Sequence, residues 1–170
     1  MHLLLEGRIL IDSKSKLSDL LSKYIPPKNY NSQKYDLIFA TQILDVNIEN
    51  FEQNPEGYIR IALYLLRTWL YIRCIENSSP IFSMMAVAKV LGDNEIASIF
   101  TSRYHITNRF QFFKRVCVSI EHHFSISINN RYETLEALVI QAHGSFSTAE
   151  SLALKILGGE TEINYTGMKV

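Results

Sequence analysis

The residues best equipped for chemistry in this chain cluster between positions 103 and 123. Arg103, His105, Arg109, Lys114 and Arg115 supply cations, Tyr104, Phe110, Phe112 and Phe113 alternate with them, and Glu121, His122 and His123 follow. No acidic residue falls between Glu95 and Glu121. Cations interleaved with aromatic rings suit phosphate contact combined with stacking. The plainer reading is a solvated rim whose aromatics belong to the core. Metal chemistry is disfavoured by spacing. His122 and His123 are adjacent, hence about 100° apart on a helix, and Cys117 lies off the i,i+4 geometry that helical ligand pairs prefer relative to His122. His2 and His143 stand alone in the sequence. There is no Gly-rich phosphate loop, nucleophile elbow, CxxC, HExxH or calcium loop. The expectation is therefore no metal site and no cofactor.

Arg115 and His122 are separated by two helical turns, so both side chains project from one helix face. An arginine followed at this spacing by a histidine on one helix is similar to the motif of the HEPN ribonucleases. These are small all-α proteins that usually dimerise to assemble a metal-independent RNA-cleaving site. The resemblance implies that His122 acts as the acid or base and that Arg115 stabilises the charged phosphorane. It is confined to this one helix. Val116 also departs from it, because the position after the arginine is commonly polar in that family.

The helix bearing this pair needs a scaffold, and the stretch from Tyr58 to Cys74, YIRIALYLLRTWLYIRC, is the strongest candidate. Wound at 3.6 residues per turn, it places Glu56, Arg60, Tyr64, Arg67 and Tyr71 on one stripe and apolar residues, including the single tryptophan Trp69, around the rest. A helix apolar over most of its circumference must be surrounded by other elements. Its polar stripe then either reaches solvent or lines a groove. Arg60, Arg67 and Arg73 would each cost a few kcal/mol at mid-bilayer, so the segment reads as core rather than membrane span.

Taken in order, 1–12 is a lead-in that is either irregular or a short strand pair. Leu17, Leu20, Leu21 and Ile25 predict a helix over 14–24, ended by Pro26-Pro27. Residues 28–34 read as a loop, and the apolar spacing from Leu37 to Phe51 predicts a second helix to about Gln53. Asn54-Pro55 is a helix start, with Asn as cap and Pro at the first position. Glu56 then pairs with Arg60 one turn on. Ser79-Pro80 repeats the device ahead of a helix over 81–91, stopped by Gly92. Asp93 caps a short helix to about Ser102, and Thr107 caps the helix that runs to about His123. Residues 125–129 form a break. Asn130 to Glu133 and Ser147 to Glu150 match the capping box, heading helices that end at Gly144 and at Gly158-Gly159. The tail, 160–170, frays or adds an edge strand.

The sum is an all-α, single-domain bundle over 1–170, with about seven or eight helices around a central apolar helix and minor β structure confined to the termini. At 170 residues and 47% hydrophobic, the chain can bury a core without disulfides or metal. Seventeen basic and seventeen acidic residues cancel, so any affinity for nucleic acid must come from a local patch. Cys74 and Cys117 fall inside helical patterns and read as buried reduced thiols. With no secretory signal pattern at the N-terminus, a cytoplasmic location is expected.

The function expected is that of a small macromolecule-binding protein, an immunity protein or antitoxin that neutralises a partner protein, such as a toxin, by binding it. The binding surface would comprise Arg60, Tyr64, Arg67 and Tyr71 on the central helix with Arg103, His105, Arg109 and Lys114 on the cationic face, residue types favoured at interface hot spots. Two alternatives stay open. One is a HEPN-like ribonuclease using Arg115 and His122, for which a homodimer would be the natural state. The other is a helical nucleic-acid binder without catalysis, acting through the local basic face. No membrane partner is expected.

Overall fold

Asn54 closes the N-terminus of the longest helix with its own side chain, whose Oδ1 accepts from the backbone N–H of Gly57 at 3.0 Å. A Cβ at Gly57 would fall 2.6 to 2.8 Å from that side chain, so the glycine makes room for the cap. The structure, a computed structural model, describes residues 29–78 and 81–160. Within them are eight α-helices and no strand. The elements are α1 (Asn31–Ala40), a 3-10 turn (Thr41–Leu44), α2 (Ile48–Phe51), α3 (Pro55–Glu76), α4 (Met84–Leu91), α5 (Asn94–Ser102), α6 (Arg109–Phe124), α7 (Leu135–Ala142) and α8 (Ser147–Leu157). The expected lead-in, the helix over 14–24, the Ser79-Pro80 device and the tail beyond residue 160 lie outside the described residues.

Several starts and stops follow the local chemistry of the chain. Pro55 occupies the first turn of α3, and Arg60 bonds Glu56 at 2.7 Å. An exposed pair of this kind contributes only about 0.3–0.5 kcal/mol. Gly92 takes the left-handed conformation that ends α4, and Asp93 accepts from the N–H groups of Glu95 and Ile96 to open α5.

Elsewhere tertiary contacts redirect the chain. The second expected helix is three pieces, because residues 45–47 leave the helical path: Asp45 accepts from Asn130 N–H at 2.8 Å and Asn47 caps α2. The start also moves, since α1 begins at Asn31 within the expected loop. Asn108, not Thr107, caps α6 by accepting from Gln111. The helix expected from Asn130 starts at Leu135, capped by Thr134. Asn130 instead folds its side chain onto Tyr132 N–H, while Gln42 and Asp45 hold the backbone of Arg131 and Asn130.

The second capping box fails for a different reason. Ser147 is already inside α8, whose side chains supply no cap. The carboxylate of Asp36 on α1 accepts from Thr148 and Ala149 N–H, at 3.0 and 3.3 Å, and so caps α8 from another helix. Glu150, free of box duty, bonds the exposed His143 at 2.8 Å and holds that imidazole above its ordinary pKa.

α3 packs against α1, the 3-10 turn, α4, α6 and α8, and α8 in turn covers α1 and α7. Phe113 of α6, with no exposed surface, meets Phe51 as a tilted ring, Tyr58 edge-on and Phe110 in a stacked arrangement. Trp69 stacks on Phe124 at 4.1 Å and donates from its indole N–H to the His123 carbonyl at 3.0 Å. Burying side chains of this size stabilises by roughly 1.5–3 kcal/mol each. Cys74 and Cys117 are free and buried, and burial pushes the Cys117 thiol up to about 12.

Candidate functional site: an arginine-lined groove

The polar stripe of α3 faces the turn between α5 and α6. Together they enclose a groove of about 550 Å³, lined on one side by Glu56, Arg60, Tyr64 and Arg67 and on the other by Arg103, Tyr104 and Arg109. Ile59, Leu63, Phe100 and Ile106 form its apolar floor and walls. Parts of two surfaces that are far apart in sequence thus line one groove, Arg60, Tyr64 and Arg67 from the stripe and Arg103 and Arg109 from the cationic face. The stripe is narrower than expected: Glu56 and Arg60 are exposed, Arg67 and Tyr71 are half-buried, and Tyr64 is buried with the core.

Among the described residues four arginines and one glutamate line the groove, and that glutamate is paired with Arg60. Arg103 lies with its guanidinium 4.6 Å from the centre of the Tyr104 ring and 5.8 Å from that of Phe100, and its Nη2 donates to the Tyr104 hydroxyl. Its Nε is buried without an acceptor. Neither Arg103 nor Arg109 has a carboxylate partner among the described residues. Arginine in an apolar setting binds carboxylate or phosphate through a rigid fork of donors, more strongly than it would in open water. The groove is chemically suited to an anion carrying some apolar surface.

The remaining basic residues go elsewhere. Lys114 folds over the rings of Phe110 and Phe113 and reaches the Val46 carbonyl at 3.5 Å, and it does not line the groove. His105 is exposed beside Arg115 in a small depression of about 290 Å³. Arg115 itself is held by Glu95 of α5, Nε to Oε1 at 2.5 Å and Nη2 to Oε2 at 3.0 Å, and by the Ser98 hydroxyl at 2.6 Å. This bidentate pair keeps the Glu95 carboxyl below its usual range. His122 is exposed on α6. The face that looked uniformly cationic in sequence therefore loses the charge of Arg115, because the acid comes from the preceding helix.

His123, which the sequence spacing set aside as a metal ligand, has a structural place. It is buried between α3 and α5, with Arg73 3.4 Å from Nδ1 and Asp93 3.0 Å from Nε2. The Nε2–Asp93 approach is close but not aligned as a hydrogen bond, so the ring is held on that side by proximity to the carboxylate and by packing. Burial lowers its pKa, the Asp93 carboxylate opposing the shift. It lines none of the grooves described above and reads as a structural lock between helices. Its only sequence signal was a position on the apolar side of α6.

Among the described residues no group of three His, Cys, Asp or Glu is placed to hold a metal ion, and no helix is long and apolar enough to cross a membrane. Comparison with protein-family models, with curated proteins and with solved structures returns no match.

Proposed function

We propose that this chain is a binding protein that captures an acidic segment of a partner protein in the groove between α3 and the α5–α6 turn. The observation that carries the reading is the convergence of Arg60, Arg67, Arg103 and Arg109 on one apolar-walled groove in a chain of zero formal net charge. With no net charge to draw it onto a polyanion, recognition rests on local fit. Neutralising a toxin, as an immunity protein or antitoxin does, is a role that needs only such capture.

The ribonuclease reading has less in its favour. Arg115 already spends its donors on Glu95 and Ser98, so a phosphorane would have to displace a bidentate carboxylate. His122→Ala separates the two: RNA cleavage by the purified chain that this change abolishes would favour the enzyme.

The test of binding uses two labelled probes on the full chain, a 12-residue Glu- and Tyr-rich peptide and a 12-nucleotide single-stranded RNA, followed by fluorescence anisotropy. The peptide is expected to bind, and the double variant Arg103→Glu, Arg109→Glu to weaken it at least tenfold at an unchanged Tm. Tighter binding to RNA, falling steeply with salt, would make the chain a nucleic-acid binder instead. No peptide binding, or equal binding by the double variant, refutes the groove. For the antitoxin role, expressing the neighbouring reading frame alone should arrest growth, and this chain but not the double variant should restore it.

A further inference from the structure

The cationic groove does not end at Arg103. A second trough of about 420 Å³ shares Arg67, Phe100, Arg103 and Tyr104 with it and continues over Tyr71, Phe82, Met84 and Met85. The two make one furrow alongside α3 from Glu56 to Tyr71, a length of about 22 Å at the rise of an α-helix. Charge is unevenly spread along it. Arg60 and Arg109 lie only in the first part, and past Arg67 and Arg103 no charged residue lines the furrow among the described residues. Met85 and Tyr104, 56% and 70% exposed, leave large apolar surface open along the walls. Exposed apolar surface beside a groove marks a docking site, and methionine side chains repack readily around an incoming one.

Resting on the reading that the occupant is an acidic protein segment, we infer that it is a single helix of about four turns, one half bearing carboxylates and the other half bulky apolar side chains. Charge complementarity sets the register: carboxylates against Arg60, Arg103 and Arg109, apolar groups over Met84, Met85 and Tyr71. A helix suits the furrow better than an extended segment because it satisfies its own backbone N–H and C=O groups where walls made of helices offer no strand edge. A nucleic acid, charged at every residue, would leave the methionine end unmatched. Residues 1–28 of this chain carry more basic than acidic side chains, so they do not complement the arginine end either.

The experiment compares three labelled 15-residue peptides on the full chain. One has an acidic half and a Leu/Met/Phe half, one keeps the acidic half with Ala and Gln in the other, and one scrambles the first. The two-part peptide is expected to bind at least tenfold tighter than either of the others. Met85→Glu, at an exposed position, should remove that advantage while leaving the acidic-only peptide and the Tm unchanged. As a readout that needs no variant, the methyl resonances of Met84 and Met85 should shift with the two-part peptide and stay in place with the acidic-only one. Equal affinities for all three peptides, or an unmoved pair of methyls, would overturn the two-part helix and leave the arginine groove standing. Absence of binding by every peptide would take both away.

Discussion

Replacing Asp36 by alanine should destabilise the protein although Asp36 lies in a different helix from the one it caps. Its carboxylate holds two of the N–H groups that open α8, those of Thr148 and Ala149, at 3.0 and 3.3 Å. Losing a cap of this type costs about 1–2 kcal/mol, and losing a negative charge at a helix N-terminus adds about 0.5 kcal/mol. Alanine recovers about 0.5 kcal/mol within α1, because aspartate is the poorer helix former. The net expectation is a loss of about 1–2 kcal/mol, or roughly 3–6 °C in Tm for a chain of this length. Asp36→Asn keeps an acceptor and should lose only the charge contribution. Urea unfolding followed by circular dichroism measures each, with an unchanged m-value showing that stability alone has moved. Ser147→Ala is the discriminating control, since Ser147 supplies no cap bond and its loss should stay within about 0.5 kcal/mol. If Ser147→Ala costs as much as Asp36→Ala, the local capping box is real and the cap from α1 is not.

The buried imidazole of His123 makes a pH prediction. Its folded pKa lies below the ordinary 6.5, so once pH falls under that value the unfolded chain takes up a proton that the folded chain refuses. Stability contributed by the neutral ring is complete above pH 6.5 and declines below it, by at most about 1.4 kcal/mol per pH unit. Urea midpoints of His123→Gln should accordingly vary less between pH 7 and pH 5 than those of the unmodified chain, and parallel profiles would disprove the assignment. Cys117, buried with its thiol raised to about 12, should be inert to a disulfide reagent at pH 8 in the folded chain and react within seconds in denaturant. Prompt native-state labelling at Cys117, located by peptide mapping, would mean that α6 opens far more readily than its packing implies.

The sequence by itself determined those features whose cause lies within about four residues. Asn54 with Pro55, Glu56 with Arg60, and Gly92 followed by Asp93 set helix ends through contacts available to an isolated segment, and each is realised in the fold. The apolar circumference of Pro55–Glu76 was equally legible, because burial follows the 3.6-residue period wherever a helix is enclosed. Tertiary structure decided wherever a distant partner could outbid a local one. Asp36 displaced Ser147 as the cap of α8, Asp45 and Gln42 pulled Asn130 and Arg131 off a helical path, and Glu95 took Arg115 out of the cationic face. The groove belongs to this second kind. Arg60 and Arg109 stand almost fifty positions apart in the chain, and no spacing rule relates them. They line the same groove only because packing brings the α5–α6 turn against the polar stripe of α3, and packing is a property of the whole set of buried faces rather than of any one segment.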